Sequence, residues 1–554
     1  MYISLKHFKK INGTTIRQYL GIPFARPPVN QSRFGKPQTY KPKKNIILNA
    51  TTPARPCMQA LEPRGFESRY FNESRMNQSE DCLQLNMWVP NKISSKNKQK
   101  SGVLVFIFGD GFRFGSPSLD LYNGSILAAK TGLIVVNLNY RLGIFGFAYM
   151  SYGTNVTGNM GLLDQQMGLK WVYENIEKFG GDRNNITLWG QGYGAISAAA
   201  HLYSVGSEKY FKKIILMSGS ANSMLGMQLN TVVDTKTRQV AQSLGCNNYL
   251  GHKNNFECML KKSAENITKH AENYSAHIYM PSTVGFSIIP NDTVFFKGSF
   301  YNKYLKGKIK RDVDVLLGLP IKDGAFFLPT LKEASRFGCK YDKMFEYNQT
   351  TCKMNYTTLL DFLNVTRLAL QLNDTSYDYI KQHYSHPNAT GSFKLNATKF
   401  LTDMCFRCHL IDFAKNLDNH IARKRVIYTY LFNMSSYDNH WPDWMVSTHG
   451  DELPYAFGLP FRRPDLYNNN ETIINEEKAL SLKIMKMIKK FTEKSGFYEN
   501  WPQFDDVKRK GILIDRDFKP DKNVTIINDM ETFKCKRLLP LLPKHLAEYT
   551  KIIG

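Results

Sequence analysis

Short apolar runs rich in β-branched residues recur along the chain, and amphipathic stretches separate them: Val103-Leu-Val-Phe-Ile-Phe, Gly132-Leu-Ile-Val-Val-Asn-Leu, Ile186-Thr-Leu-Trp, Lys213-Ile-Ile-Leu-Met and Val313-Asp-Val-Leu-Leu-Gly. Runs of this length without in–out alternation suit strands covered on both faces, which is the condition of a parallel sheet. Between them, the segment 161–176 repeats its apolar residues at spacings of three and four and is expected to be a helix. Strand and helix in alternation imply an α/β chain with a large, mostly parallel twisted sheet flanked by helices, because parallel neighbours need a crossover that a helix supplies. From about 322 to 403 the strand signal fades into helical sequence rich in Asn and Tyr, predicted to be an insertion capping the sheet. At about 150 residues per domain, 554 residues would suggest three or four domains, but no repeat or Pro/Gly/Ser linker divides the chain. A single domain over 1–554 is expected.

Composition and charge narrow the class. Hydrophobic residues make up 42% and charged residues 22%, enough to fill a core and incompatible with disorder. The apolar runs stop well short of the ~20 residues that cross a bilayer, so no transmembrane segment is expected. Lys and Arg exceed Asp and Glu by 26, yet the basic residues are interleaved with Asn and Tyr along the whole sequence. A diffuse solvated surface is the favoured reading, with polyanion binding as the alternative and no nucleic-acid motif in view. The clusters Lys41-Pro-Lys-Lys and Lys92, Lys96, Lys98, Lys100 read as solvated loops. His383, His386 and His449 form no recognised ligand set and no phosphate-binding loop is present, so neither metal nor cofactor is expected.

About twenty Asn-X-Ser/Thr triplets occur, among them Asn12, Asn49, Asn72, Asn77, Asn155, Asn185, Asn266, Asn348, Asn364, Asn396 and Asn523, an excess over chance that points to a secreted glycoprotein. The segment 1–10 lacks the apolar core of a signal peptide, so secretion is expected to depend on residues that precede this chain.

The sequence Thr187-Leu-Trp-Gly-Gln-Gly-Tyr-Gly-Ala-Ile-Ser-Ala-Ala lies where a strand meets a helix, the setting of a nucleophile elbow. With Leu20-Gly-Ile-Pro-Phe-Ala-Arg-Pro-Pro, Ser79-Glu-Asp-Cys-Leu-Gln-Leu-Asn-Met-Trp-Val-Pro, Asn137-Leu-Asn-Tyr-Arg-Leu-Gly, Gly158-Asn-Met-Gly-Leu-Leu-Asp-Gln-Gln and Phe179-Gly-Gly-Asp-Arg-Asn-Asn-Ile-Thr-Leu-Trp-Gly, the chain resembles the type-B carboxylesterases and cholinesterases over nearly its whole length. Trp441-Pro-Asp-Trp-Met-Val-Ser-Thr-His-Gly-Asp-Glu-Leu looks more like the cholinesterase branch. The resemblance implies an α/β-hydrolase fold and disulfides Cys57–Cys82, Cys246–Cys258 and Cys408–Cys535. Cys339 and Cys352 could add a fourth, leaving Cys405 as a buried thiol or an intermolecular partner.

Against that frame the site residues depart from the family's pattern. The nucleophile position is Gly192, which has no side chain to attack a carbonyl. His449 stands at the general-base position, and Asp323 stands where the cholinesterase branch has Glu. The pair reads as a retained hydrogen bond that stabilises a loop rather than as a working base. The oxyanion turn is Gly109-Asp110-Gly111, with a carboxylate where the family has glycine, and Tyr193 replaces the small residue whose N–H completes the hole. The stretch Ser68-Arg69-Tyr70-Phe71-Asn72-Glu73-Ser74 has no Trp to stack a quaternary ammonium. Ser218-Gly-Ser-Ala-Asn-Ser-Met-Leu has no aromatic for an acyl pocket, and Ser218 and Ser220 match structural small residues rather than a displaced nucleophile.

The expectation is therefore a secreted, catalytically inactive cholinesterase-like protein that acts by binding or adhesion, with an extracellular protein or a small ligand as partner. Two alternatives stay open: a carboxylic ester hydrolase, and a carrier of small apolar ligands in the former gorge. A homodimer through a four-helix contact near Leu538-Leu-Pro-Leu-Leu-Pro is a further implication of the resemblance.

Overall fold

The computed structural model describes residues 2–541 apart from 5–7, 12, 43–46, 60–76, 92–99, 152–153, 155, 247–251, 274–284, 332, 341–350, 371, 387–391, 440, 494–496 and 523. Eleven strands form one sheet: β1 Phe8–Ile11, β2 Thr14–Pro23, β3 Gln84–Pro90, β4 Ser101–Ile107, β5 Ile134–Leu138, β6 Gly181–Gln191, β7 Lys213–Met217, β8 Asp314–Pro320, β9 Ile427–Phe432, β10 Gly511–Ile514 and β11 Thr525–Ile527. Their spatial order is β11-β10-β9-β8-β7-β6-β4-β5-β3-β2-β1. The seven strands from β5 to β10 in that order run parallel, while β1, β2, β3 and β11 join antiparallel at the edges. This is the α/β-hydrolase architecture, with helices over a large mostly parallel sheet. The parallel strands are continuous apolar runs because both faces are covered, and β5 and β9 are buried at every position.

Trp189 on β6 is fully buried, its ring 4.6 Å from Phe106 and stacked 4.8 Å from Phe457. Helix α1, Met160–Asn175, carries Asp164, which takes two bonds of 2.7 Å from the Arg141 guanidinium and a third from the Arg141 backbone N–H. Arg141 also donates to the Arg33 carbonyl at 2.9 Å, so one buried arginine ties the loop after β5 to α1 and to the N-terminal region.

Residues 322–403 hold α3 Tyr356–Ala369, α4 Asp374–Tyr384 and α5 Phe393–Thr402, beside a two-residue antiparallel pair in which Cys339 faces Cys352. A π-helical turn, Asp403–Arg407, runs from α5 into α6, Cys408–His420. Four disulfides join described residues: Cys57–Cys82, Cys246–Cys258, Cys339–Cys352 and Cys408–Cys535. The first two close short loops, worth roughly 3 kcal/mol each in the chain-entropy picture. The last ties α6 to α8, Phe533–Leu541, at the C-terminal end of the described chain. Cys405 is free and 1% exposed. No helix among the described residues is long and apolar enough to cross a membrane. Of the dimer surface expected from the resemblance, Leu538 is fully buried within the protomer, and residues 542 onward lie outside the described residues.

Candidate active site and its rearrangement

Three strand ends converge at the carboxyl edge of the sheet. Register places Gly190 of β6 beside Ile107 of β4, and Gln191 beside Met217 of β7. The turn from β6 into α2, Tyr193–Ala200, is tight because Gly190 and Gly194 allow it. A Cβ on Gly190 would lie 2.2 Å from the Gly194 carbonyl oxygen, and one on Gly194 would lie 2.1 Å from that of Ile107. Gly192 caps the helix at φ 56° and ψ −125°, a left-handed conformation that strains any residue with a Cβ. The elbow is thus built although its central residue has no side chain.

His449 lies directly against the position that side chain would take. A Cβ on Gly192 would sit 2.8 Å from His449 Nε2 and 3.3 Å from Cε1, so the imidazole would have to give way to it. The imidazole is fixed on both nitrogens: Nδ1 bonds Asp323 Oδ1 at 2.6 Å, and Nε2 lies 3.0 Å from the Gln191 amide nitrogen. With Nδ1–H donating to Asp323, Nε2 accepts from Gln191, so the lone pair a general base would use is occupied within the protein. Phe406, Phe326 and Phe327 surround the ring at 5.0, 5.7 and 6.3 Å.

Asp323 opens the turn that follows β8 and is fully buried. Burial pushes its carboxyl pKa above the ordinary value, opposed by the neighbouring His449. The His449 loop is tied down from two sides: Lys322 N–H donates to the Ser447 carbonyl at 3.1 Å, and Thr448 N–H to Asp451 Oδ2 at 2.9 Å. Asp451 and Glu452 are buried beneath it, and burial raises both carboxyls well above their ordinary range.

The turn 109–111 lies against the elbow, since a Cβ on Gly109 would meet the Gln191 carbonyl oxygen at 2.7 Å and the Tyr193 nitrogen at 3.3 Å. Asp110, Gly111 and Phe112 take φ values of 66°, 67° and 59° in succession, so two residues bearing Cβ atoms are held in the left-handed region, at a cost of order 1–3 kcal/mol each. The Asp110 carboxylate turns inward rather than across the elbow: one oxygen is buried, 3.4 Å from where a Cβ on Gly115 would be. Tyr193 is 6% exposed and packs edge-on against Phe112 at 5.1 Å, which in turn lies 4.5 Å from Phe147. These rings pack together beside the oxyanion turn.

Ser218 and Ser220 are buried, and Ser220 Oγ donates to Asn222. Cys405 lies near enough to Asp323 and Tyr193 to interact electrostatically with both, and its thiol is pushed well above its ordinary pKa by burial and then by Asp323, which disfavours the reactive thiolate. Residues 68–74 and the lysines at 92, 96 and 98 lie outside the described residues. Among the described residues the grouping with metal-ligand chemistry, Asp403 with Cys408 and Cys535, has both sulfurs in a disulfide and cannot hold an ion.

The sequence profile of the Carboxylesterase family matches residues 5–533. This chain belongs to the carboxylesterase family. It is 32% identical over 521 residues to acetylcholinesterase 4 of Caenorhabditis briggsae, covering 89% of this chain and 81% of that protein. It is 30% identical over 485 residues to the acetylcholinesterase of Bungarus fasciatus, covering 85% and 73%, and 30% identical over 514 residues to the cholinesterase of Mus musculus, covering 91% and 80%. Within this carboxylesterase-family fold, two features of the site escaped the sequence reading. The Gln191 contact had a signal, since a residue beside an elbow glycine is positioned to reach the histidine. The aromatic wall had none, because Phe326, Phe327 and Phe406 come from segments whose proximity only the fold supplies.

Proposed function

We propose that this member of the carboxylesterase family has given up ester hydrolysis and acts outside the cell by binding. The observation that carries this reading is the glycine at the centre of the elbow, with the base-position His449 Nε2 lying 2.8 Å from where a Cβ at Gly192 would stand. A serine there would oblige the imidazole to shift, and no acyl-enzyme forms on glycine. The test is purified protein with nitrophenyl acetate and, separately, a fluorophosphonate that labels nucleophilic serines. Turnover equal to a heat-killed control and no covalent adduct are expected. Turnover above that control which disappears in His449→Ala overturns the reading and restores the hydrolase alternative, for which the intact Asp323–His449 bond speaks.

The carrier alternative rests on the aromatic wall around His449. A thermal shift with small aromatic ligands that vanishes in Phe406→Ala would favour it over protein adhesion.

Four disulfides and the excess of Asn-X-Ser/Thr triplets support an oxidising, extracellular setting. The triplets also contain an internal control. Asn49 and Asn77 are exposed, and the Thr51 hydroxyl donates to the Asn49 side chain at 2.8 Å. Asn185 is 8% exposed on β6, and Asn396 is 7% exposed with its amide donating to the His386 carbonyl, so neither has room for a glycan. Asn12, Asn72, Asn155, Asn348 and Asn523 lie outside the described residues. Secreted material is expected to lose mass on glycosidase treatment, with peptide mapping finding Asn49 or Asn77 modified and Asn185 and Asn396 bare. An unchanged mass would refute the glycoprotein assignment.

A further inference from the structure

Three connections far apart in sequence meet where the parallel strands begin, at the end of the sheet away from Gly192. Residues 205–213 lead into β7, 303–314 into β8 and 420–425 into β9. Backbone bonds hold them side by side: Asp314 N–H donates to the Lys212 carbonyl at 3.1 Å, Lys310 N–H to that of Leu202 at 2.8 Å, and Ala422 N–H to that of Arg311 at 2.9 Å. In these 27 residues eleven Lys or Arg stand against three acids, Glu208, Asp312 and Asp314, so a twentieth of the chain carries +8 of the total +26.

Two of the acids are already engaged. Asp312 is gripped by Lys212 Nζ and Arg425 Nε, each at 2.7 Å, and Arg425 also reaches Asp314 at 3.4 Å. Lys310 is buried beside this centre, and its pKa falls to about 8, mainly through burial and secondarily through Lys212. Around this paired centre Lys209, Lys306, Lys308, Arg423 and Lys424 are exposed, and none forms an ion pair with a described carboxylate. These unpaired cations sit on a rigid base, because each of the three connections runs into a strand of the parallel sheet.

Nothing here serves a lipid surface or a base stack. Tyr210, Phe211 and Tyr304 are buried, and the large apolar residue left exposed in these segments is Val205, so there is no aromatic to anchor in a membrane or to stack on nucleobases. We propose that this face binds a linear sulfated polysaccharide, its sulfates and carboxylates bridging the unpaired cations of the three connections. The choice of a sulfated glycan over nucleic acid rests on the extracellular reading. The site itself is independent of whether the Gly192 elbow hydrolyses esters.

The probe is heparin, immobilised, with affinity measured between 0.05 and 0.3 M salt as an order-of-magnitude window for counterion release. The test variant is Lys306→Ala/Lys308→Ala/Arg423→Ala/Lys424→Ala. The control is Lys36→Ala/Lys253→Ala/Lys261→Ala/Lys486→Ala, which removes the same charge from exposed positions elsewhere. Four lost contacts should lower the log–log salt slope by about three and the affinity at ~0.15 M by more than about tenfold, while the control changes affinity less than about threefold. If the quadruple variant fails to fold, Lys306→Gln/Lys308→Gln should give about half that drop in slope. Equal losses in test and control variants would overturn the proposal, since the charge would then act diffusely. Binding to phosphatidylserine vesicles or duplex DNA as tight as to heparin would overturn it in favour of a membrane or nucleic-acid surface.

Discussion

Gly192→Ser alone should yield a protein without esterase activity and less stable by about 1–3 kcal/mol. The cost has two sources: a Cβ at φ 56° in a strained backbone region, and the displacement of an imidazole that Asp323, Gln191 and three phenylalanines hold in place. Adding Asp110→Gly and Tyr193→Ala should bring measurable turnover of nitrophenyl acetate. Glycine suits the left-handed backbone at 110, and removing the Tyr193 ring opens the space beside its N–H; a single oxyanion donor is worth about 3 kcal/mol in the transition state. The triple variant also loses a buried aromatic, costing about 3–5 kcal/mol, so its stability must be followed by urea denaturation alongside activity. Full activity from Gly192→Ser alone would show that His449 yields easily and that the site is dormant rather than dismantled.

Asp164→Ala is expected to destabilise the fold by about 3–5 kcal/mol, the largest single effect anticipated outside the core. Arg141 is 2% exposed and would be left with its charge uncompensated, holding only the Arg33 carbonyl. Replacing both partners by apolar residues, Arg141→Met with Asp164→Leu, should recover most of the loss, because the desolvation cost of the pair disappears with it. A urea midpoint unchanged in Asp164→Ala would mean that water reaches Arg141 in solution.

Much of this was readable from residues alone where one physical signal dominated. The runs at 103–108, 186–189, 213–217 and 313–318 fall within or overlap β4, β6, β7 and β8, since a strand covered on both faces has little option but a continuous apolar sequence. The helix expected at 161–176 occupies Met160–Asn175. The edge strands β1, β2 and β11 went unmarked: β1 carries two lysines, β2 is partly exposed with Arg17 and Gln18 in it, and β11 is short and largely exposed, so they lack that signal. At the site, Gly192, Asp323, His449, Asp110 and Tyr193 could be picked out by position, but how they would rearrange could not. How His449 is held against Gly192 depends on the reach of Gln191 and on rings from residues 326, 327 and 406, and packing of that kind is decided between segments, not along one. The basic face is the same lesson in charge. The clusters dense in sequence, near 41–44 and 92–100, lie largely outside the described residues, whereas the one assembled by the fold draws on three connections about one hundred residues apart.

The bond between Cys408 and Cys535 spans 127 positions and encircles β9, α7 (Glu471–Thr492) and β10. A protease that cuts the backbone anywhere inside that circle leaves both pieces covalently joined, so the nicked molecule keeps its full mass on a gel until a reductant is added. One such cut would therefore escape notice without a reductant, whereas a second cut inside the same loop would free the peptide between the two and betray itself as lost mass.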